Sequence, residues 1–342
     1  MFVRAGAQCG IGGCHDSDNY QSPRTRAVQN MSASLLITGG AGFVGSNLVR
    51  AALRDPKVGR VVVLDDLSTT NSGHLNGVDV EFREASILDE SALTSALNGV
   101  DAVVHLAAIP SVPRSLANPV ASHHANATGT LMLLEGCRAA GVNQVVCASS
   151  SSVYGMNPAL PKHEREWVRP MSPYAVSKLA TEQYLLAYQS SFGLSTLPFR
   201  FFNVYGPGQA PGHAYAAVIP AFVDALMNDR PVPVNGDGSQ SRDFTFVGTV
   251  CEILLNASVN AVSSPEPVNL AFGVRTDLMT LIEKLEKITG KSATIEFHDP
   301  RPGDVPHSEA DNTSLRGLFP EIKPVELEQG LQSTVDWFRS KY

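Results

Sequence analysis

LLITGGAGFVGSNLV, Leu35 to Val49, passes from an apolar run through a glycine-rich turn into a pattern of helical period. Gly40, Gly42 and Gly45 are spaced G-x-G-x-x-G, and Gly39 adds the spacing G-x-x-G-x-x-G. A strand feeding a helix through such a turn is the context that makes this motif informative. Missing side chains let the backbone approach a pyrophosphate, and the helix N-terminus supplies amide donors and the positive end of its dipole. The next apolar run, RVVVLDD (Arg60 to Asp66), brings Asp65 to a strand end 20 residues past Gly45. A carboxylate there accepts from ribose hydroxyls and repels a 2′-phosphate, which favours NAD over NADP.

The same grammar continues downstream. DAVVHLAA (Asp101 to Ala108) and NQVVCASS (Asn143 to Ser150) are near-continuous apolar runs that end in small or polar residues, as strands buried on both faces do. SALTSALNG and ATGTLMLLEGCRAAG read as helices between them, the second stopping at Gly141. Alternation of this kind predicts an α/β fold with a Rossmann-like, doubly wound parallel sheet and ligands gathered beyond the strand C-termini.

Composition narrows the class. A net charge of −7 without a basic run argues against a nucleic-acid surface. No apolar stretch reaches the roughly 18–20 residues of a membrane span. There are five cysteines and no C-x-x-C pair, and Cys137, Cys147 and Cys251 stand in apolar surroundings, which suits reduced thiols in a cytoplasmic protein. Residues 1–32 lack periodicity and read as a disordered tail, or as an over-long start with Met31 the initiator. Cys9, Cys14 and His15 lack the second ligand pair of a zinc module, so no metal is expected.

Two further stretches carry chemistry. ASSSSVYG (Ala148 to Gly155) follows a buried run, so its hydroxyls are delivered to a strand end rather than spun into a linker. SPYAVSKLATEQYLLAYQSSFG reads as a helix closed by Gly193, on which Tyr174 and Lys178, four apart, share a face. His123 and His124 read as the solvated head of a helix, and His105 as part of a cofactor floor.

TGGAGFVGS, LDDLSTTN, HLAA, SSSVYG, SPYAVSK, RFFNVYGPGQ and GDGSQSRDFTFV, in this order, resemble the extended short-chain dehydrogenases that act on nucleotide sugars. The resemblance runs from Leu35 to the C-terminus. It implies an NAD-binding domain of residues 33–205 plus about 245–272, and a smaller C-terminal α/β nucleotide-sugar-binding domain of residues 206–244 plus 273–342. It also implies Ser150, Tyr174 and Lys178 as the catalytic group. A phenol with pKa near 10 is a poor base at neutral pH, and a nearby ammonium and nicotinamide charge favour its phenolate. Cofactor contacts carried over are Gly39, Gly42, Phe43, Val44, Gly45, Asp65, Ser68, Thr70, Ser86, Ile87, Leu106, Ala107, Ala108 and Val204, with Tyr174 and Lys178. Ser86-Ile87 replaces the family's Asp-Ile.

Among the family's branches, 4,6-dehydratases place Thr-Asp-Glu at the positions of Ser150, Ser151 and Ser152, and sugar-acid decarboxylases a Glu at that of Ser152. Hydroxyls alone leave reversible oxidation at C4, the reaction of a 4-epimerase that uses NAD without net redox. AYAAVIP, after GPGQ, resembles bacterial epimerases of UDP-N-acetylglucosamine and of uronates. The implied substrate contacts are Ser111, Ser150, Ser151, Asn203, Gln209, Ala217, Val218, Arg242, Arg301, Asp304 and Ser308, next to Pro110. Guanidinium forks suit diphosphate oxygens. Ser308, where a bulky aromatic confines relatives to plain sugars, leaves room for an acetamido group. UDP-glucose/UDP-galactose and UDP-uronates are the alternatives. A dehydratase with unusual acid and base groups and a non-catalytic NAD sensor are disfavoured, the sensor because it has no need of Ser150, Tyr174 and Lys178 together. The resemblance also implies a homodimer, through helices containing Leu131 to Leu134 and Leu185 to Tyr188.

Overall fold

The computed structural model describes residues 32–211, 217–299 and 306–341. The proposed N-terminal tail, Arg301 and Asp304 lie outside the described residues. In chain order come β1 (Ala33–Thr38), α1 (Phe43–Ala52), β2 (Val58–Asp65), β3 (Glu81–Glu84), α2 (Glu90–Leu97), β4 (Ala102–His105), α3 (Val112–Ala117) and α4 (Pro119–His123). There follow α5 (Gly129–Ala140), β5 (Gln144–Ser150), α6 (Pro173–Phe192), β6 (Ser195–Phe201), β7 (Val204–Tyr205), α7 (Val218–Met227), β8 (Val232–Asn235), β9 (Ser241–Asp243) and β10 (Thr245–Phe246). The chain closes with α8 (Val247–Val259), β11 (Val268–Leu270), β12 (Arg275–Asp277), α9 (Leu278–Thr289), β13 (Ile295–His298), α10 (Thr313–Leu318) and α11 (Leu327–Lys341).

Seven strands form one sheet in the order β11-β6-β5-β4-β1-β2-β3, and every pairing in it is parallel. The order reverses between β1 and β4, which opens a crevice beyond their C-terminal ends. Side chains along each strand alternate between two cores. Leu35, Ile37, Val61, Val63, Val104 and Val146 pack with α1 and α8, whereas Leu36, Val62, Leu64, Val103, Val145 and Cys147 pack with α2, α5 and α6. Burial on both faces is why these strands lack polar alternation. A third cluster joins Phe222 of α7, Val232 and Val234 of β8, Leu281 and Leu285 of α9, and Leu331 and Phe338 of α11. Leu315 of α10, with Phe319 and Ile322, belongs instead to the sheet's first core.

The structure differs from the sequence reading at one place. His123 and His124 do not head a helix. Pro119, with the Asn118 side chain accepting from Ala121 N at 3.0 Å, starts α4 earlier, and a wide turn at His124–Thr128 carries it into α5. Leu133, Leu134, Leu185 and Tyr188 pack into the second core.

The sheet and α6 are tied by a buried ion pair. Arg200 of β6 donates from Nη2 to Glu182 Oε1 at 2.6 Å and from Nε to Oε2 at 2.9 Å, with both residues at most 3% exposed. Ser149 Oγ donates to the same Oε2 at 3.0 Å, and Arg200 Nη1 donates to Glu164 O at 3.0 Å. Removing one partner of such a pair strands a charge in a poorly solvating interior. Glu182→Gln is therefore expected to lower the unfolding free energy by about 3–5 kcal/mol in denaturant titration, and Glu182→Leu with Arg200→Met to recover much of the loss.

Candidate active site

The first turn is shaped by what it lacks. Gly39 has φ +71°, and a Cβ on it would stand 2.6 Å from Ala107 N. A Cβ on Gly45 would lie 2.2 Å from Gly39 O, so only glycine lets α1 pack this close to the turn. No side chain caps α1 at Gly42, which leaves its first amides to a ligand. Asp65 secures the turn from β2: its Oδ2 accepts from Ala41 N at 2.9 Å and its Oδ1 from Leu67 N at 2.9 Å. Burial raises the Asp65 carboxyl, and the two amide bonds pull it back down. Each oxygen retains lone-pair capacity for a ribose hydroxyl.

A cleft of about 670 Å³ runs from this turn to α6. Its wall gathers Gly39, Gly42, Phe43, Val44 and Gly45 from the turn, and Asp65, Ser68 and Thr70 after β2. Ser86 and Ile87 follow from beyond β3, then Leu106, Ala107, Ala108, Pro110 and Ser111 after β4. Ser150, Tyr174, Lys178, Gln209 and Ala217 complete the expected set. The Ser86 hydroxyl accepts from Leu88 N at 3.2 Å. Ser111 has φ +87°, a strained value for a residue with a side chain, and its Oγ accepts from Arg114 N.

Ser151, Asn203, Val204, Val218, Arg242 and Ser308 are not on that wall. Asn203, Arg242 and Ser308 form a second group around β9. Asn203 Nδ2 donates to Asp243 O at 3.2 Å, Arg242 Nη1 donates to Pro306 O at 3.0 Å, and Ser308 N donates to Ser241 O at 3.0 Å. Asp243, fully buried, holds this group to the sheet edge: its Oδ2 accepts from Gly273 N at 2.9 Å and Ala310 N at 3.2 Å. Burial pushes its carboxyl up to about 6.

The side chains expected to react come from two elements. Ser150 ends β5, and α6, started by Pro173 with the Ser172 hydroxyl accepting from Ala175 N at 3.1 Å, presents Tyr174 and Lys178 to the cleft. Lys178 Nζ donates to Ala148 O at 2.9 Å, which ties the helix to the strand that carries Ser150. Burial raises the Tyr174 phenol, and a hydrogen bond with Ser150 lowers it. Burial lowers the Lys178 ammonium. The group in the chain that pulls the phenol toward its ionised form is Ser150.

One supporting residue carried no motif. Asn126, buried in the wide turn, accepts from Ile109 N at 2.8 Å and donates to Ile109 O at 3.2 Å and Ser177 Oγ at 2.9 Å. It fixes the loop after β4 against α6. Its one signal is an amide side chain inside an apolar helical stretch. His105 contacts Thr38 Oγ1 at 2.7 Å and Thr130 Oγ1 at 3.0 Å, and burial, with Lys178 second, lowers its pKa to about 3. It stays neutral, buried behind the end of β4.

Residues 35–271 match the family described as NAD dependent epimerase/dehydratase. The chain belongs to that family. It is 39% identical over 313 residues to UDP-glucose 4-epimerase of Mycolicibacterium smegmatis, which covers 90% of this chain and 98% of the relative. A solved UDP-N-acetylglucosamine 4-epimerase from Methanobrevibacter ruminantium, in complex with UDP-N-acetylmuramic acid, is 34% identical with TM-score 0.85, covering 91% of this chain and 100% of that one. The UDP-glucuronic acid 4-epimerase of Bacillus cereus, solved with UDP-glucuronic acid and NAD, is 30% identical with TM-score 0.82, covering 90% and 100%. These relatives are NAD-dependent isomerases of UDP-sugars. The glycine cradle, the uncapped helix start and Asp65 fit NAD, whose bound nicotinamide supplies reversible hydride exchange. Among the described residues no helix is long and apolar enough to cross a membrane.

Gly45→Ala is expected to lower the melting temperature and to strip NAD from the purified protein, read as nucleotide released on denaturation. For Asp243, a folded pKa raised above its unfolded value means that its contribution to stability is full at low pH and lost as pH rises through about 6. Relative to Asp243→Asn, the native chain should therefore lose stability between about pH 4 and pH 7, measured by denaturant titration at each pH.

Proposed function

We propose that this enzyme interconverts UDP-N-acetylglucosamine and UDP-N-acetylgalactosamine by epimerisation at C4. The observation that carries the reading is that hydroxyls alone, from Ser150, Ser151 and Ser152, stand at the end of β5 beside Tyr174. Elimination or decarboxylation needs a carboxyl group there; exchange of a proton at the C4 oxygen does not. Tyr174 removes that proton as the alcohol is oxidised and returns it when the keto sugar is reduced on its other face. Ser150 hydrogen-bonds the same oxygen, and Lys178 holds the nicotinamide ribose. Between the two proton transfers the sugar must turn over, which calls for room rather than for another acid or base.

Ser308 supports the acetylated sugar: at the position where a bulky aromatic confines relatives to plain sugars, this chain has a small side chain, beside β9. Arg242, with Arg301, is assigned to the diphosphate, and Asp304 to the nucleotide ribose. A second reading is UDP-glucose/UDP-galactose, or the UDP-uronates, as substrate; the relatives with those names favour it. We also infer a homodimer. Its contact is assigned to the apolar side chains that α3, α4 and α6 leave exposed, Leu116 at 65%, Val120 at 64% and Val176 at 54%.

The deciding measurement incubates purified enzyme, without added NAD, with acetylated, plain and uronate UDP-hexoses and follows C4 epimers by NMR. UDP-N-acetylgalactosamine should form from UDP-N-acetylglucosamine with the highest kcat/KM of the panel. A product lacking the C6 hydroxyl, or no epimer from any member, overturns the reading. Tyr174→Phe should lower kcat by about 10²–10⁴-fold while leaving NAD bound.

A further inference from the structure

Ser152 stands on the single turn Ser151–Tyr154 that follows β5, and no step of the reaction proposed above uses it. Its backbone N–H donates to Ser150 Oγ at 3.2 Å, and its own hydroxyl donates to the same atom at 2.9 Å. A serine hydroxyl has one proton and two lone pairs. Ser152 therefore occupies both acceptor positions of Ser150, and what remains to Ser150 is its proton.

We propose that Ser152 is a positioning residue that makes the Ser150 hydroxyl an obligate donor toward the oxygen at which Tyr174 and the sugar exchange their proton. The inference rests on the assignment of Ser150 and Tyr174 to the catalytic group. Its consequence is one of polarity. A serine with a free lone pair accepts from the Tyr174 O–H and so holds the phenol in its protonated, inactive form. A serine whose lone pairs are filled donates to the phenolate, or to the developing charge on the sugar oxygen, and stabilises it. Ser150 is also the side chain whose hydrogen bond favours the Tyr174 phenolate against burial. A carboxylate at position 152 would accept only, and would draw the Ser150 proton away from the reacting oxygen.

The charged or titratable groups that share the cleft wall with Tyr174 are Lys178 on its own helix, Arg114 from α3, His124 after α4, His74, Asp65 and Asp66. Ser152→Ala leaves all of them in place, so a changed Tyr174 titration in that variant reports on the serine pair.

The test compares the native chain, Ser152→Ala and Ser152→Thr as purified holoenzymes. Removing one hydroxyl donor is expected to raise the Tyr174 pKa by about half a unit to one unit. Ultraviolet difference titration reads this without substrate, with Tyr174→Phe as the blank. With an epimerised UDP-sugar, the acidic limb of the kcat–pH profile should move up by the same amount. At neutral pH kcat should fall about three- to tenfold with KM unchanged, and Ser152→Thr should restore both. An unshifted phenol titration in Ser152→Ala, or a loss confined to KM, overturns the proposal. Because the titration needs no substrate, its result stands apart from whether any UDP-sugar is turned over.

Discussion

The Arg200–Glu182 pair is the interaction through which the rest of the site is held. Glu182 lies one helical turn beyond Lys178 and two beyond Tyr174, and its Oε2 accepts from Ser149, the residue before Ser150. One buried carboxylate thus sets the phase of α6 against the end of β5, the two elements that carry Tyr174, Lys178 and Ser150. The network does not stop there. The Arg200 guanidinium lies 4.7 Å from the centre of the Tyr154 ring, Tyr154 Oη donates to Asn269 Oδ1 at 2.7 Å, and Asn269 Nδ2 donates to Lys162 O at 2.8 Å and Asp311 O at 3.1 Å. The chain just past Ser308, at Asp311 O, is therefore linked to the middle of α6 through the side chains of Asn269, Tyr154, Arg200 and Glu182. Burying two charges costs desolvation that their attraction only partly offsets, so the value of the pair lies in geometry more than in stability.

The electrostatics of the cleft follow from the same burial. Tyr174 and Lys178 are both pushed toward their neutral forms, and His105 is kept neutral beneath them. A neutral phenol is a poor base. The shift needed for catalysis must come from groups added to a poorly solvated site, where a hydrogen bond or a positive ring is felt strongly. This is the setting in which the number of donors at one serine oxygen matters.

Much of this was legible in the sequence. The strands of the sheet could be read because burial on both faces leaves continuous apolar runs. The glycine turn could be read because only missing side chains allow that approach, and α6 because Ser172-Pro173 and Gly193 mark its two ends. Three features could not be read. Glu182 in a helix looks like a solvated residue until Arg200, 18 residues away, is placed beside it. Asn126 has no motif because its partners, Ile109 and Ser177, come from separate segments. Leu315, Phe319 and Ile322 pack on the first core although their neighbours in sequence join the third, a choice that tertiary contact makes and local pattern does not encode.

The serine run shows why a strand end is so sensitive to single substitutions. Consecutive residues of an extended strand point to opposite faces, so Ser149 turns into the core toward Glu182 while Ser150 reaches the cleft. The turn that follows ends the alternation and folds Ser152 back onto Ser150. Identical side chains thus acquire different places from backbone geometry alone: Ser149 is anchored to Glu182, Ser150 lines the cleft, and Ser152 donates to Ser150. Replacing any one by an acid changes charge and proton direction together, within a site too poorly solvated to screen either. That is the physical reason a three-residue stretch can separate exchange of a proton at C4 from elimination or decarboxylation on the same scaffold.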